Sequence, residues 1–255
     1  MVDTSFAQDN QRINPVLTQQ KKNQPNAKEQ LAIKYYREKE YARSAELFQQ
    51  LYGEKPNNYY YNYYFNCLIA ITEYKRAEKL VKQHRKRNPN NYRYLIDEAY
   101  VIGLAGNKKK SEKILNKLLD NVPTQRNQIL QITNSLQAKG YPELAIKVYE
   151  KARAQTGNQS SYGFEIGDAY LYSGNYGGMF DSYLDHLEIV PTDAQRVKSK
   201  LQYVMRMDVN SNLSDMLKSK LLQRSQRNPE NYPLADMLMW FSLQTKDFDM
   251  AFRQA

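Results

Sequence analysis

The sequence predicts an all-α fold, an α-solenoid of stacked antiparallel helix pairs. Three observations lead there. Proline recurs at Pro56, Pro89, Pro123, Pro191 and Pro229, at spacings of 33, 34, 68 and 38 residues. The 68 is two periods of 34, and Gly157 fills the missing slot 34 residues after Pro123. A period near 34 is the length of a two-helix unit that must stack on its neighbours to bury its apolar face. Between the breaks the apolar residues keep helical spacing, as in Leu31, Tyr35, then Tyr41, Ala45, Phe48 and Leu51. The composition agrees: hydrophobic residues are 41%, enough for a core, while Gly 10 and Pro 9 are too few for a collagen-like or low-complexity chain.

Residues 1–26 read as a disordered or weakly ordered tail. They are rich in Gln and Asn, have few periodic apolar residues, and contain Pro15 and Pro25. Ser5-Phe6-Ala7 has the small-x-small pattern of a signal-peptidase site, with Gln8 following. One reading makes it the remnant of a bacterial export signal, which places the protein in the periplasm or cell envelope; an ordinary polar tail and a cytoplasmic protein is the other. Residues 27–255 read as the helical array. The first unit carries Leu31, Ala32, Tyr35, Tyr41, Ser44, Phe48 and Pro56. The second is one residue short and has Phe65 where a small residue is expected. The third carries Ala99, Ile102, Gly106-Asn107, Ser111, Leu115 and Pro123; the fourth Ile132, Leu136, Gly140, Ala145, Tyr149 and Ala152. The fifth carries Ile166-Gly167-Asp168-Ala169-Tyr170, Gly174-Asn175-Tyr176, Tyr183 and Pro191. The sixth is stretched by Asp208 to Asn212 between its helices and has no Gly at the turn, so its pair is expected to splay or bend. The seventh holds Leu238, Asp247-Phe248 and Ala251, then stops at Ala255, which reads as a fragment continued by further repeats or another domain. Proline ends the second helix of each unit, and Asn-Asn pairs such as Asn57-Asn58 and Asn90-Asn91 make the turns.

This series resembles the tetratricopeptide repeat family, about six and a half repeats of it over residues 27–255. The resemblance implies a right-handed superhelix in which helix A of each unit lines a concave face and helix B forms the convex side. Small residues have a mechanical reason here. Ala32, Ala99 and Gly167 fall where helix A meets helix B, and Ala77, Ala145 and Ala251 are the partner positions, so the helices approach closely and Tyr or Phe fills the gap.

No catalytic constellation is present, so no enzyme activity is expected. His84 and His186 occupy equivalent late slots of helix B, too far apart to share a ligand, and read as packing or surface residues. With His 2 and Cys 1 no protein-built metal centre is expected, and no cofactor. Cys67 reads as a buried inert thiol. Gly174 to Gly178 lacks the lysine of a phosphate loop. There is no apolar run of 18 residues, so no membrane-spanning helix is expected.

The tetratricopeptide resemblance places a candidate partner-binding groove on the helix A slots. They hold Tyr36, Tyr59, Asn62, Tyr63, Asn66, Arg93, Asp97, Tyr100, Asn134, Gln137, Glu165, Asp168 and Tyr172. Asn offers both donor and acceptor to a peptide backbone, and Tyr offers a stiff amphipathic surface at low entropic cost. A protein or peptide partner is the expectation. The family's chaperone-binding members hold a C-terminal carboxylate with Lys, Asn and Arg. The matching slots here are Glu29, Ile33, Tyr63, Arg93 and Asp97, of which only Arg93 fits, so that clamp is not supported.

The formal net charge of +10 is concentrated: residues 74–117 hold 13 basic and 4 acidic residues. Lys75, Arg76, Lys79, Lys82, Arg85, Lys86, Arg87, Lys108, Lys109, Lys110, Lys113 and Lys117 supply most of it and fall on B helices and their turns, expected to be convex. Arg85 to Arg87 suit a helix C-terminus, but Lys108 to Lys110 sit at a helix start, where cations are disfavoured. Such a patch could dock an acidic protein or an anionic membrane surface. Nucleic acid is a weaker expectation, because no recognised nucleic-acid motif accompanies the charge.

Overall fold

The structure, a computed structural model, describes residues 27–207 and 212–247. The tail with Ser5-Phe6-Ala7, the Asp208–Ser211 connection, Phe248 and Ala251 lie outside the described residues. The helices are α1 (Ala27–Arg37), α2 (Tyr41–Glu54), α3 (Asn58–Ala70), α4 (Tyr74–Arg87), α5 (Tyr92–Leu104), α6 (Lys108–Asp120) and α7 (Arg126–Ala138). They continue with α8 (Pro142–Thr156), α9 (Gly163–Tyr172), α10 (Tyr176–Ile189), α11 (Ala194–Arg206), α12 (Asn212–Arg227) and α13 (Tyr232–Gln244). A single 3-10 turn, Pro191–Asp193, precedes α11. The fold is all-α, with no strand among the described residues.

Helix boundaries follow the punctuation in the sequence. Pro56, Pro89, Pro123, Pro191 and Pro229 each lie just beyond the end of a B helix, and Gly157 closes α8 in the left-handed conformation. Asparagine starts the next helix. The side chain of Asn57 accepts from the Tyr60 amide at 2.9 Å, and Asn91, Asn107, Asn175 and Asn231 cap α5, α6, α10 and α13 in the same way. Such caps satisfy amides that the helix itself leaves open.

The turn from helix A to helix B carries a second periodic mark. Lys39, Thr72, Gly106, Gly140, Gly174 and Lys246 all have positive φ, between 59° and 94°. Glycine adopts this backbone without strain, but threonine, branched at Cβ, does not. Thr72 has φ 59° and an exposed side chain, so it gains no packing in return. Thr72→Gly is therefore expected to stabilise the protein by about 0.5–1 kcal/mol, against the usual penalty for glycine. A rise in the urea midpoint at constant slope checks it.

The chain divides into two compact units, between His84 and Arg85. In the first, α1 packs on α2 and α2 on α3. Ala32, Ala45, Phe48, Leu51, Tyr61, Phe65 and Leu68 are buried, so Phe65 fits at the slot where a small residue was expected. Ser44 Oγ donates to the Ala32 carbonyl at 2.9 Å, tying helix B to helix A. In the second unit, Ser111 Oγ donates to the Ala99 carbonyl at 2.7 Å at the equivalent place. There α5 to α10 pack in succession around Ile96, Ile129, Ile132, Leu136, Tyr149 and Ile166. A second cluster, with Phe164, Phe180, Tyr183, Leu201, Leu217 and Phe241, joins α9 to α13. In the sixth pair α11 meets α12 only sparsely, while α10 reaches past it to touch both α12 and α13.

Both histidines are packing residues. His84 is buried, with Nδ1 at 2.6 Å from the Tyr52 hydroxyl and Nε2 at 3.1 Å from Asn58 Oδ1, and it stacks on Tyr61. Those partners suit the tautomer with the proton on Nε2. His186 is buried with Nε2 at 2.7 Å from Asp193 Oδ2. Cys67 is buried and its thiol is pushed up by that burial, the opposite of an activated nucleophile.

Candidate partner-binding face

In the first unit the A helices are α1 and α3, and they meet through tyrosine. Tyr63 on α3 stacks on buried Phe48 beneath it, with centroids 4.8 Å apart and planes at 7°. Tyr36 on α1 meets Tyr63 edge-on at 4.8 Å and 87°, and Tyr59 meets it at 5.0 Å and 68°. Tyr59 stays 44% exposed, whereas Tyr36 and Tyr63 are half-buried. Spacing explains the grouping: Tyr59 and Tyr63 are one turn apart on α3, with exposed Asn66 in the following turn. Asn62, on the same helix, is half-buried. A cleft of about 360 Å3 opens along α1, lined by Gln30, Ile33, Lys34, Arg37 and Glu38.

Sequence reasoning missed Tyr60. Its hydroxyl donates to Glu29 Oε2 at 2.8 Å, and its ring lies 5.6 Å from that of Tyr59. Burial, first, and the neighbouring Tyr63 and Glu29 push the Tyr59 phenol up to about 12. Burial, then the bond to Glu29, push Tyr60 up to about 12 as well. A phenol raised in the folded state favours folding below its unfolded value near 10, and that contribution is lost as pH rises towards 12. Absorbance titration at 295 nm is expected to show tyrosines ionising near pH 12, and Tyr59→Phe is expected to remove the amplitude of one.

In the second unit the charged helix A residues are bound into ion pairs. Asp97 departs from the expected groove position: it is buried and 3.1 Å from the Lys139 ammonium, with Arg93 at 3.7 Å. Burial of a carboxylate demands such partners. Lys139 also stands 5.0 Å over the ring of Tyr100, which is half-buried. Arg126 pairs with Glu165, and Lys200 holds Asp168 at 2.6 Å. Asp168 in turn accepts from the Tyr183 hydroxyl at 2.5 Å. These pairs tie α5 to the end of α7, α7 to α9, and α9 to α11. Lys139, Arg126 and Lys200 were not singled out from the sequence. Each faces an opposite charge roughly one repeat away along the chain, and that spacing was the available signal. Asn134 and Tyr172 remain exposed, Tyr172 at 65%, and Gln137 is half-buried.

The predicted basic residues lie at the surface. Lys75 and Lys79 are exposed on α4, Lys82 is 2.6 Å from Glu78, and Arg76 bonds Gln49. Arg85 is 2.5 Å from Glu98, while Lys86 and Arg87 are exposed. On α6, Lys108, Lys109, Lys110, Lys113 and Lys117 are all exposed, and the inward positions are Ser111, Leu115 and Leu118. Among the described residues no group of three or more His, Cys, Asp or Glu is placed to hold a metal ion. No described helix is long and apolar enough to cross a membrane.

Paired helices repeated at one period, with tyrosine and asparagine on the A helices, define a helical-repeat protein. Residues 35–97 match the family model for the tetratricopeptide repeat. No curated relative matches the sequence. Among solved structures, the chain is similar to the C-terminal part of a tetratricopeptide repeat-containing protein from Cytophaga hutchinsonii, at 18% identity and TM-score 0.34, covering 88% of this chain and 92% of that one. It is similar to a thermophilic tetratricopeptide protein from Thermus thermophilus at 18% identity and TM-score 0.37, covering 68% and 96%. It is also similar to YrrB, described as a tetratricopeptide protein with an unusual peptide-binding site, at 13% identity and TM-score 0.32, covering 73% and 96%.

Proposed function

We propose that this chain is a non-catalytic scaffold that holds a peptide or protein partner against the tyrosine- and asparagine-bearing face of its A helices. The observation that carries the reading is the ring cluster of the first unit. Tyr59, Tyr63 and Tyr36 are partly exposed yet fixed against one another and against Phe48. Leaving large rings part-open to water forgoes burial energy, and rings already held in place lose little entropy when a partner covers them. Separately, the A helices of the second unit carry half-buried Tyr100 and exposed Asn134 and Tyr172. A peptide array probed with the full chain tests this. Replacing Tyr63, Asn66 and Tyr100 with Ala is expected to abolish the array signal while the far-ultraviolet circular dichroism stays unchanged. An undiminished signal from the folded triple variant sinks the proposal.

A second reading rests on α6, where five lysines share the exposed side of one helix. It assigns the partner an acidic surface. Glutamate at Lys108, Lys109 and Lys110 is expected to weaken such binding, which falls steeply with salt.

A further inference from the structure

We infer that α6 docks on an anionic lipid surface, lying along it, an inference that rests on the reading that gives this helix an acidic partner.

Among the helices, α6 packs chiefly on α5, and its inward positions are Ser111, Leu115 and Leu118. With about 100° between successive residues, the opposite side carries Lys109, Lys113 and Lys117, one turn apart, with Lys110 beside them. All four are exposed. Glu112 and Asp120 are the acidic residues of the helix, against five lysines. This stripe works against its own helix. Lysines one turn apart repel one another, and Lys108, Lys109 and Lys110 crowd the first turn, where the dipole disfavours cations. Elsewhere in the second unit cations are matched: Arg126 with Glu165, Lys200 with Asp168, and Arg224 with Asp181, Asp185 and Glu188. Lys109, Lys113 and Lys117 make no ion pair with the described residues. An anionic surface brought from outside the chain relieves that repulsion.

Residue type separates a lipid surface from other anions. The cations of α6 are all lysine, and the helix has no arginine and no aromatic residue. Protein interfaces favour arginine and aromatic anchors and are poor in lysine. Nucleic acid is read through arginine forks and held by ring stacking. Lysine is a flexible point charge without a fixed fork, which suits headgroups that move laterally in a bilayer. The stripe runs about 12 Å from Lys109 to Lys117 at 1.5 Å per residue along one helix, so a plane meets all of it at once. Leu104, the last residue of α5, is 39% exposed and precedes the stripe, an apolar side chain placed to enter the headgroup boundary.

The test is co-sedimentation of the full chain with vesicles of phosphatidylcholine alone and of phosphatidylcholine with about one third phosphatidylglycerol. A labelled duplex DNA and a labelled polyglutamate peptide are titrated beside them by fluorescence anisotropy. The anionic vesicles are expected to bind about a hundredfold more tightly than the neutral ones, and about tenfold or more of that is expected to be lost between roughly 50 and 500 mM salt. Replacing Lys109, Lys113 and Lys117 together with Gln is expected to weaken vesicle binding about a hundredfold, about fivefold for each lysine. Gln at exposed Lys34, Lys55 and Lys246 removes the same charge elsewhere and is expected to weaken it less than about threefold. Every site is exposed, so both triple variants are expected to keep the parent circular dichroism. Equal binding to neutral vesicles, or equal losses in the two triple variants, overturns the inference. If duplex DNA or polyglutamate binds through Lys109, Lys113 and Lys117 more tightly than the anionic vesicles do, the lipid assignment falls and the acidic-partner reading stands. If nothing binds in a way that needs these lysines, both fall.

Discussion

Gly167→Ala is expected to lower stability by about 1–3 kcal/mol, although alanine is ordinarily the better helix former by about 1 kcal/mol. Gly167 lies inside α9, where a Cβ would stand 2.6 Å from Cδ1 of Tyr183 and closer still to Cε1. Tyr183 cannot step aside. It is fully buried, and its hydroxyl donates to Asp168 at 2.5 Å. The methyl must either push α9 off α10 or break that bond. Gly53, near the end of α2, is the control, because a Cβ there meets nothing within 4 Å. Gly53→Ala is expected to raise stability by up to about 1 kcal/mol. Urea denaturation of the two variants thus gives midpoint shifts of opposite sign. If both move the same way, the close approach of α9 and α10 is not what the glycine provides.

Phe48→Ala is expected to cost about 3–5 kcal/mol, the range for removing a buried aromatic side chain. Phe48 is fully buried in the first unit and touches Tyr63 and Tyr60. That loss is a large part of a domain's margin, so thermal denaturation is expected to show the first unit melting early. Phe48→Leu separates the two roles of the ring. It keeps most of the apolar volume but removes the parallel stack beneath Tyr63. Its fold is expected to survive, while peptide binding weakens because Tyr63 is no longer held in one orientation. Circular dichroism and anisotropy on the same sample check both parts.

The fold was largely readable because its punctuation is local. Proline after each B helix, asparagine before the next helix and small residues at Ala32, Ala99 and Gly167 act within a few residues of where they stand. The turns were readable only where glycine occupies them. Lys39, Thr72 and Lys246 adopt the same left-handed backbone, and the surrounding helices impose it on side chains that do not announce it. The face was readable as to which residues lie on A helices, but not as to which are free. Asp97 has the slot of a groove residue and the neighbourhood of a buried one, because Lys139 and Arg93 close over it. Lys139 comes from the far end of α7, and a slot pattern within one repeat says nothing about what the next repeat brings. Tyr60 was passed over because what marks it is a partner 31 residues away, Glu29 on the neighbouring A helix, which accepts from its hydroxyl.

Isothermal titration of the tightest-binding array peptide into three proteins tests the central claim most directly: the parent chain, the Tyr63, Asn66 and Tyr100 alanine variant, and a variant with glutamate at Lys108, Lys109 and Lys110. Binding through the A-helix face predicts that heat disappears in the alanine variant and persists, with affinity within about twofold, in the glutamate variant. Heat that persists in the folded alanine variant and disappears in the glutamate variant contradicts it, and moves the partner to the lysines of α6.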